Sequence, residues 1–428
     1  MRKRNRIGVL ALGVSLATAV VGLSSGAIAS AATGGARQPA AVGSVRLTGA
    51  TKGVTLNVMI ATSGAAETAA VKKETSAWAA ATGNTVNVET PANQTESLDE
   101  GFAGGSPPDI FYLSANQIET FAKQGDLLPY ASSIDKPSAF YSTLVKADTY
   151  NHTWYCVPKD FSNLALEINT TMWKAAGLTN ADIPTTWAKL VYAAQKLTSG
   201  KVVGLDVGNT IDRLGAFMAE NGGSYMNKAG TGFAFNSPQN VAALNWFVKY
   251  DKAGIFKLNS QQGAGWAGQA FGEGEAAMAT EGNWIIGGMA SYPKIKWMAV
   301  PMPAGPTGIK GTLTFTDCWG IAAQTKYSKA AANLVNYLSS PAVETYNAKA
   351  FGPLPPRPAV AAAYAKANPI MSAFVAGTPY AMPQVETVGW STVQGAFDGQ
   401  VTNMANGSVS PSTLLNQLQT NAQALLAP

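Results

Sequence analysis

The sequence has little charge and almost no histidine. Asp, Glu, Lys and Arg make up 13% of its 428 residues, against about a quarter in typical soluble domains. His152, in the turn-like stretch YNHTW, is the one histidine, and no G-x-S-x-G motif is present after residue 31, which disfavours a Ser-His-Asp hydrolase. We interpret His152 as a solvated turn residue. As a hypothesis, we attribute the low content of charged residues to an acidic environment outside the cell, where carboxylates of the folded protein risk protonation.

An excess of basic residues is also missing once the start of the chain is set aside. Four basic residues precede the apolar run 7–23: Arg2, Lys3, Arg4 and Arg6. Small residues follow this run, which completes the pattern of a secretory signal peptide. Without these four, 26 basic residues face 25 acidic ones, so the charge does not indicate nucleic-acid binding. We predict a signal peptide at 1–31, with an uncleaved anchor as the alternative, and a flexible spacer at 32–52.

The chain contains only two cysteines, Cys156 and Cys318. A lipid-anchored protein needs a cysteine at the cleavage point, so we predict an exported protein that is not a lipoprotein. The wide separation of the two cysteines excludes the closely spaced pairs of zinc and thioredoxin motifs. Because cysteines of exported proteins are usually paired, a disulfide is favoured, with two buried thiols as the alternative.

Signatures of cofactor and metal chemistry are absent from the sequence. It has no P-loop and no clustered metal ligands, so we predict neither a cofactor nor a metal. The stretch GAGWAG (263–268) has dinucleotide-motif spacing but follows a polar loop; its glycines either present Trp266 to a ligand or let it pack. The 25 acidic residues leave a glycosidase carboxylate pair open, because sequence does not reveal carboxylate separation. We therefore predict a protein that is not an enzyme, with a secreted glycoside hydrolase as the alternative.

Arginine is scarce after the signal peptide. Only four remain: Arg37, Arg46, Arg213 and Arg357. Strong recognition of phosphate or of several carboxylates usually needs converging arginines, so the sequence favours an uncharged ligand.

What the chain does have is an alternation of strands and helices. The stretches VTLNVMI (54–60), TVNVE and PDIFYLS (108–114) predict strands, and a helix is predicted at 65–81, ended by Gly83. A further helix is predicted from Ser237 and Pro238 to Gly254. This alternation indicates an α/β fold with parallel sheet. Ligands of such sheets bind beyond the carboxyl ends of strands, where Ser63, Tyr112, Ser114, Asp206 and Asn209 stand.

Five stretches in order resemble family 1 extracellular solute-binding proteins, the sugar-capturing receptors of ABC importers that include maltose-binding protein. They are GSPPDIFYLSANQIETFAKQGDLLPY (105–130), WYCVPKDFSNLALEINTTMWKAAGL (154–178), PTTWAKL (184–190), GEAAMATEGNW (274–284) and LVNYLSSP (334–341). The resemblance implies a two-lobe periplasmic-binding-protein-like fold of type II, with crossing hinge strands and a cleft between the lobes. The implied N-terminal lobe is 53–157 plus 319–368, and the implied C-terminal lobe is 158–318 plus 369–428.

The resemblance also implies a mechanism and partners. YCVPKD and DCWGIA would be two of the crossings, which would place Cys156 and Cys318 near one pivot. Hinge closure would trap a small sugar or oligosaccharide, which the protein, as a monomer, would deliver to the transmembrane subunits of an ABC permease.

Trp284 is the leading candidate for a ligand contact. By the resemblance it follows a strand, faces the cleft and stacks on a sugar ring; the alternative is an ordinary buried tryptophan. Asp160 could instead cap the following segment, and Arg357 could instead brace the proline-rich turn. The full set of predicted ligand contacts is Trp284, Asn283, Glu281, Asp160, Trp390, Trp266, Asp317, Trp319, Tyr112, Ser63 and Arg357.

Overall fold

The computed structural model describes residues 52–61, 64–229, 231–385, 387 and 389–426. The predicted signal peptide, the predicted spacer up to residue 51 and Ser63 lie outside the described residues. The described strands are β1 Thr55–Met59, β2 Thr85–Glu89, β3 Ile110–Ser114, β4 Thr149–Tyr150, β5 Thr153–Trp154, β6 Val157–Asn169, β7 Leu205–Val207, β8 Phe256–Leu258, β9 Met278–Gly282, β10 Trp297–Val300, β11 Thr312–Ile321 and β12 Ala381–Pro383.

Helices separate most of these strands and fill the end of the chain. They are α1 Ala65–Thr82, α2 Gln94–Ala103, α3 Ala115–Gln124, α4 Ser142–Ala147, α5 Thr170–Ala175, α6 Trp187–Leu197, α7 Ile211–Glu220, α8 Pro238–Lys252, α9 Ala267–Glu273, α10 Ile285–Gly288, α11 Ser328–Leu338, α12 Pro341–Phe351, α13 Pro358–Ala367, α14 Ser372–Gly377, α15 Trp390–Ala405 and α16 Pro411–Ala424.

Local signals set several of these boundaries. Helix α1 ends at Gly83, whose φ of 73° places it in the left-handed region that glycine adopts readily. Helix α8 begins at Pro238, and the side chain of Ser237 accepts a hydrogen bond from the Asn240 amide. Both ends agree with the sequence prediction.

The main sheet consists of two parallel groups joined by antiparallel strands. Its order is β2-β1-β3-β11-β6-β9-β7-β8. Strand β1 pairs in parallel with β2 and β3, and β7 pairs in parallel with β8 and β9. We call the part built on β1–β3 the first half and the part built on β7–β9 the second half. The predicted α/β class is confirmed.

Strands β6 and β11 cross between the halves. The first residues of β6 pair with β11, and the residues from Leu164 onward pair with β9. Strand β11 pairs with β12 at its start and with β3 at its end. These are the strands that contain or adjoin YCVPKD and DCWGIA. The residue boundaries of the two lobes stay a prediction.

Each half has its own hydrophobic core. In the first half Leu56, Trp78 and Leu334 belong to one buried cluster. In the second half Phe217 and Phe247 belong to another, which also contains the buried faces of α15 and α16. Separate cores allow two bodies to move as units about the strands that join them.

A disulfide joins Cys156 to Cys318 beside the crossing, as predicted. Their Cα atoms are 5.6 Å apart, and both residues are fully buried. Cys318 lies in β11, opposite Pro158 of β6. The bond therefore ties together the starting point of one crossing strand and the middle of the other.

Replacing both cysteines by serine should lower the free energy of unfolding by about 2–4 kcal/mol, because the bond closes a long loop in the unfolded chain. The loop spans 162 residues. Urea unfolding measures the loss, and reduction of the wild type should reproduce it. An unfolding midpoint of the wild type that does not respond to reductant would contradict this expectation.

Candidate ligand-binding site

Trp284 stands just after the carboxyl end of β9, where the sequence pattern places it, and is half-buried. Its indole Nε1 donates to Glu281 Oε2 at 2.9 Å. The ring of Phe315, on the crossing strand β11, meets the indole at 5.4 Å between centroids and 79° between planes. Trp284 is therefore at the junction of the second half and the crossing, with part of its side chain open to solvent.

Arg213 joins this group from helix α7. The side chain of Thr210 caps α7 by accepting from the Arg213 amide, and the guanidinium lies 4.7 Å from the Trp284 ring centroid and 5.5 Å from that of Phe315. Its Nε donates to Glu281 Oε2 at 3.1 Å. A cation between two rings is attracted by both ring faces.

The carboxylate of Glu281 organises the group. It is buried, with a side-chain exposure of 1%, and the same oxygen accepts from Arg213 and Trp284. Its backbone amide donates to Glu167 Oε2 at 3.0 Å. Burial, followed by repulsion from Glu281, holds the pKa of Glu167 well above its usual range. Arg213 and Glu281 form an ion pair in which one charge offsets the other.

A second charged group lies where β3, β6 and β11 meet. Lys159 Nζ contacts Glu67 Oε1 at 3.0 Å and also contacts Asp160 Oδ2, and it lies 4.4 Å from the ring centroid of Tyr112. Asp317 stands directly opposite Asp160 in the strand register. These contacts bring the first half and both crossing strands together through predicted site residues.

The acids of this second group perturb one another. Burial raises the pKa of Asp160 to about 6, against the opposing effect of Lys159, and Glu67 and Asp317 add to the rise. Asp317 Oδ1 accepts from Ser114 Oγ at 2.7 Å. Asp160 and Asp317 are both half-buried, so they remain candidates for accepting hydrogen bonds from ligand hydroxyls.

Four predicted contacts lie outside these groups, although one of them, Trp319, packs against Tyr112. Trp390 is 2% exposed and stacks on Phe235 at 5.2 Å, and Trp319 is 2% exposed with Tyr112 4.8 Å from its ring. Arg357 is 5% exposed and pairs with Glu344. The fourth is Trp266, which is half-buried, with Gly268 and Gly288 so close that a Cβ on either would strike its ring. Trp390, Trp319 and Arg357 are almost completely buried and pack as structural residues, so we no longer propose these three as ligand contacts. Trp266 keeps part of its surface exposed and stays a prediction.

Asn283 and Tyr112 are nearby but buried. Asn283 is 2% exposed, and its Nδ2 donates to the Gly352 carbonyl at 2.9 Å. Tyr112 is also 2% exposed, and burial raises the pKa of its hydroxyl well above the usual range. Both therefore support the site rather than line it.

Arg213, Lys159 and Phe315 belong to the two candidate groups, but sequence reasoning did not select them. The strand-end rule selected Asp206, which lies within β7, and Asn209, which follows β7, but Arg213 stands one helical turn after Asn209. The rarity of arginine could have identified Arg213 as a candidate, since it is one of only two arginines in the described residues.

A separate cavity of ≈ 890 Å³ has residues of α3, α4 and the β4–β5 hairpin on one side. Residues 224–229 and 382–385 line the other side. None of the predicted contact residues that the structure describes lines it. His152 does; it is exposed at the hairpin tip with φ 62°, which agrees with its interpretation as a turn residue.

Two α/β halves with separate cores, joined by antiparallel crossing strands, define a two-lobe binding protein of type II. The protein belongs to the bacterial extracellular solute-binding protein family, whose sequence profile matches residues 69–373. The predicted resemblance is thereby confirmed. No curated protein sequence matches the chain.

Solved structures of binding proteins share the fold. An ABC substrate-binding protein from Listeria monocytogenes, in complex with cycloalternan, is 23% identical with a TM-score of 0.76, over 87% of this chain and 99% of that one. A solute-binding protein from Thermotoga lettingae, bound with alpha-D-tagatose, is 21% identical with a TM-score of 0.75, over 88% and 100%. UgpB from Mycobacterium tuberculosis, in complex with glycerophosphocholine, is 17% identical with a TM-score of 0.73, over 87% and 98%.

The described residues show neither a membrane-spanning helix nor a metal-binding cluster. None of the described helices is long and apolar enough to cross a membrane. Within the same residues, no group of three or more His, Cys, Asp or Glu side chains is arranged to hold a metal ion.

Proposed function

We propose that the protein is an exported receptor that captures a neutral carbohydrate between its halves and delivers it to an ABC permease. The observation that carries this proposal is the Arg213–Glu281–Trp284 group beside the crossing strands, in which the two charges of an ion pair offset each other. It combines an aromatic ring with a planar donor and presents no excess charge, which suits a sugar with apolar C–H faces and many hydroxyls.

The related structures support the same ligand class. Cycloalternan and tagatose are neutral sugars, and they are held by proteins of this fold. Glycerophosphocholine, held by UgpB, carries a phosphate, for which an arginine cluster is the usual partner. Arg213 is bonded to Glu281, and Arg357 is buried elsewhere, so the neutral sugar is the better match.

The secreted glycosidase receives no support from the comparisons. The half-buried carboxylates nearest the candidate site, Asp160 and Asp317, face each other across β6 and β11 and bond to Lys159 and Ser114. We propose that the sugar is bound and released unchanged, with hinge closure as the only response. Family membership supports an extracytoplasmic location, and we propose that the protein acts there as a monomer without a lipid anchor.

Calorimetric titration tests this function directly. The probes are cycloalternan, D-tagatose, maltose and glycerophosphocholine, and chromatography after incubation checks that the bound sugar is recovered intact. We expect heat from at least one sugar and full recovery of that sugar. Binding of no sugar would overturn the proposed function, and a shortened sugar would favour the glycosidase.

Replacing Trp284 with alanine should weaken binding of the best sugar probe by roughly 1–3 kcal/mol, because the variant loses the ring on which Arg213 rests. Thermal unfolding without sugar checks that the fold survives. Unchanged affinity in a folded variant would remove Trp284 from the site.

A further inference from the structure

The Trp284 ring is already covered from more than one direction. A Cβ on Gly282 would come within 2.1–2.5 Å of three carbons of its six-membered ring, so the indole lies directly on the Gly282 backbone. The Arg213 guanidinium covers the ring at 4.7 Å, and Phe315 meets it edge-on. A sugar approaching Trp284 therefore meets Arg213 as well.

The arginine is held in one position. Its aliphatic stem lies against Gly208, where a Cβ would come within 2.7 Å of Arg213 Cγ. Its Nε is bonded to Glu281, the same carboxylate oxygen that orients Trp284. Stem, Nε and ring face are thus fixed before any ligand arrives, which lowers the conformational entropy lost on binding.

The end of the arginine side chain is the part left open. Arg213 keeps a side-chain exposure of 20%, whereas Glu281 keeps 1%. Within the described residues, the terminal nitrogens of Arg213 have no hydrogen-bond acceptor, since its side-chain bond runs from Nε to Glu281. These nitrogens are planar donors at fixed spacing that can bond two neighbouring oxygens at once.

We infer that Arg213 is the specificity-determining residue of this site and contacts the sugar directly, with Trp284 and Glu281 positioning it. The terminal nitrogens of Arg213 donate to two adjacent hydroxyls of an uncharged sugar. The neutral Arg213–Glu281 pair keeps the contact selective for hydroxyls, because a ligand carboxylate would bring an uncompensated charge beside Glu281. This inference rests on the proposed function and assigns its main polar contact.

Three variants distinguish a residue that contacts the sugar directly from one that only positions the contacting residue. Arg213→Lys keeps the cation but loses the planar pair of donors, and Arg213→Met keeps the length and packing but loses both. Trp284→Phe keeps a six-membered ring at this position and loses the five-membered ring of the indole with its N–H. Each is titrated calorimetrically with the sugar among cycloalternan, D-tagatose and maltose that the wild type binds most tightly, and each is melted without sugar.

The expected result is a loss of affinity of at least about tenfold for both Arg213 variants, because lysine cannot replace a two-pronged contact. Trp284→Phe should lose less affinity than either Arg213 variant. Arg213→Lys and Trp284→Phe should melt close to the wild type, whereas Arg213→Met should melt at a lower temperature because it leaves the buried Glu281 without its cation. Affinities are therefore compared below the melting temperature of every variant. Unchanged affinity of Arg213→Lys, or a larger loss in Trp284→Phe than in Arg213→Met, overturns the inference while leaving the receptor function intact. A wild type that binds none of the sugars instead overturns the proposed function, and the inference with it.

Discussion

Replacing Arg357 with alanine should lower the free energy of unfolding by about 3–5 kcal/mol, because the buried Glu344 and three backbone carbonyls lose the donors that Arg357 supplies. Burial raises the pKa of Glu344 to about 8 even beside Arg357. Arg357 is 5% exposed, and its Nε donates to Glu344 Oε1 at 3.0 Å. Its terminal nitrogens donate to the carbonyls of Lys136, Asp135 and Ser339. The guanidinium lies 3.9 Å from the Phe140 ring centroid. Urea unfolding of the variant measures the loss.

A matched double variant distinguishes loss of the ion pair from loss of packing. Arg357→Met with Glu344→Leu removes both charges and keeps apolar volume, so much of the lost stability should return. Affinity for the best sugar probe should be the same in the wild type and in the double variant. A weaker sugar complex of a stable double variant would return Arg357 to the binding site.

The sequence predicts the structure best where residues close together in the chain determine where a helix or strand begins and ends. The β1 and β2 segments have the strand-forming residues and flanking turn residues of short strands, and Gly83 supplies the left-handed residue that ends α1. Such boundaries depend on neighbours in the chain, which is why they could be predicted without coordinates. The order of five family-like stretches then indicated how the halves are joined, and the pairing of β6 with β11 agrees.

Side-chain partners across long separations could not be predicted in the same way. Arg213 and Glu281 are 68 positions apart, and Lys159 and Glu67 are 92 apart. Nothing local to either residue indicates its partner, because the contact exists only after the strands take their places in the sheet. The site could therefore be predicted as a region around Trp284, but not as a network.

The sequence also does not reveal which tryptophans are exposed and which are buried. Trp319 and Trp390 each adjoin a glycine and Trp284 stands two residues after Gly282, and all three were predicted as ligand contacts. The structure leaves Trp284 half-buried and covers the other two almost completely. A neighbouring glycine makes space for a large ring, but the space can be filled by the core as readily as by a ligand.

The protein should be more stable at pH 5 than at pH 8, because several fully buried acids are protonated in the folded state. Burial, helped by Glu281 and Glu275, raises the pKa of Asp206 to about 8. Burial also holds the pKa of Glu220 well above its usual range, although the Trp187 indole N–H donates to it. Glu167 behaves likewise.

The direction of this pH dependence follows from the number of protons that the folded and unfolded states bind. In the unfolded chain these acids ionise near pH 4, so between about pH 4 and pH 8 the folded state binds more protons than the unfolded state. The stabilisation is fully present below about pH 4 and is lost as the pH rises toward 8. A difference of about 2 kcal/mol would raise the Tm by roughly 2–3 °C in a chain of this size, so calorimetry at pH 5 and pH 8 measures it.

Two isosteric variants identify the groups responsible. In Glu220→Gln and Asp206→Asn the side-chain carbonyl still accepts from Trp187 or Gln262, but neither side chain can ionise. Each variant should unfold at a temperature that depends less on pH than that of the wild type, and the gain should be largest at pH 8, where the wild-type carboxyl is driven to ionise. A wild-type Tm that instead falls steeply from neutral pH toward pH 3 would mean that paired, ionised carboxylates dominate its stability, and it would also remove the basis for a protein adapted to an acidic exterior.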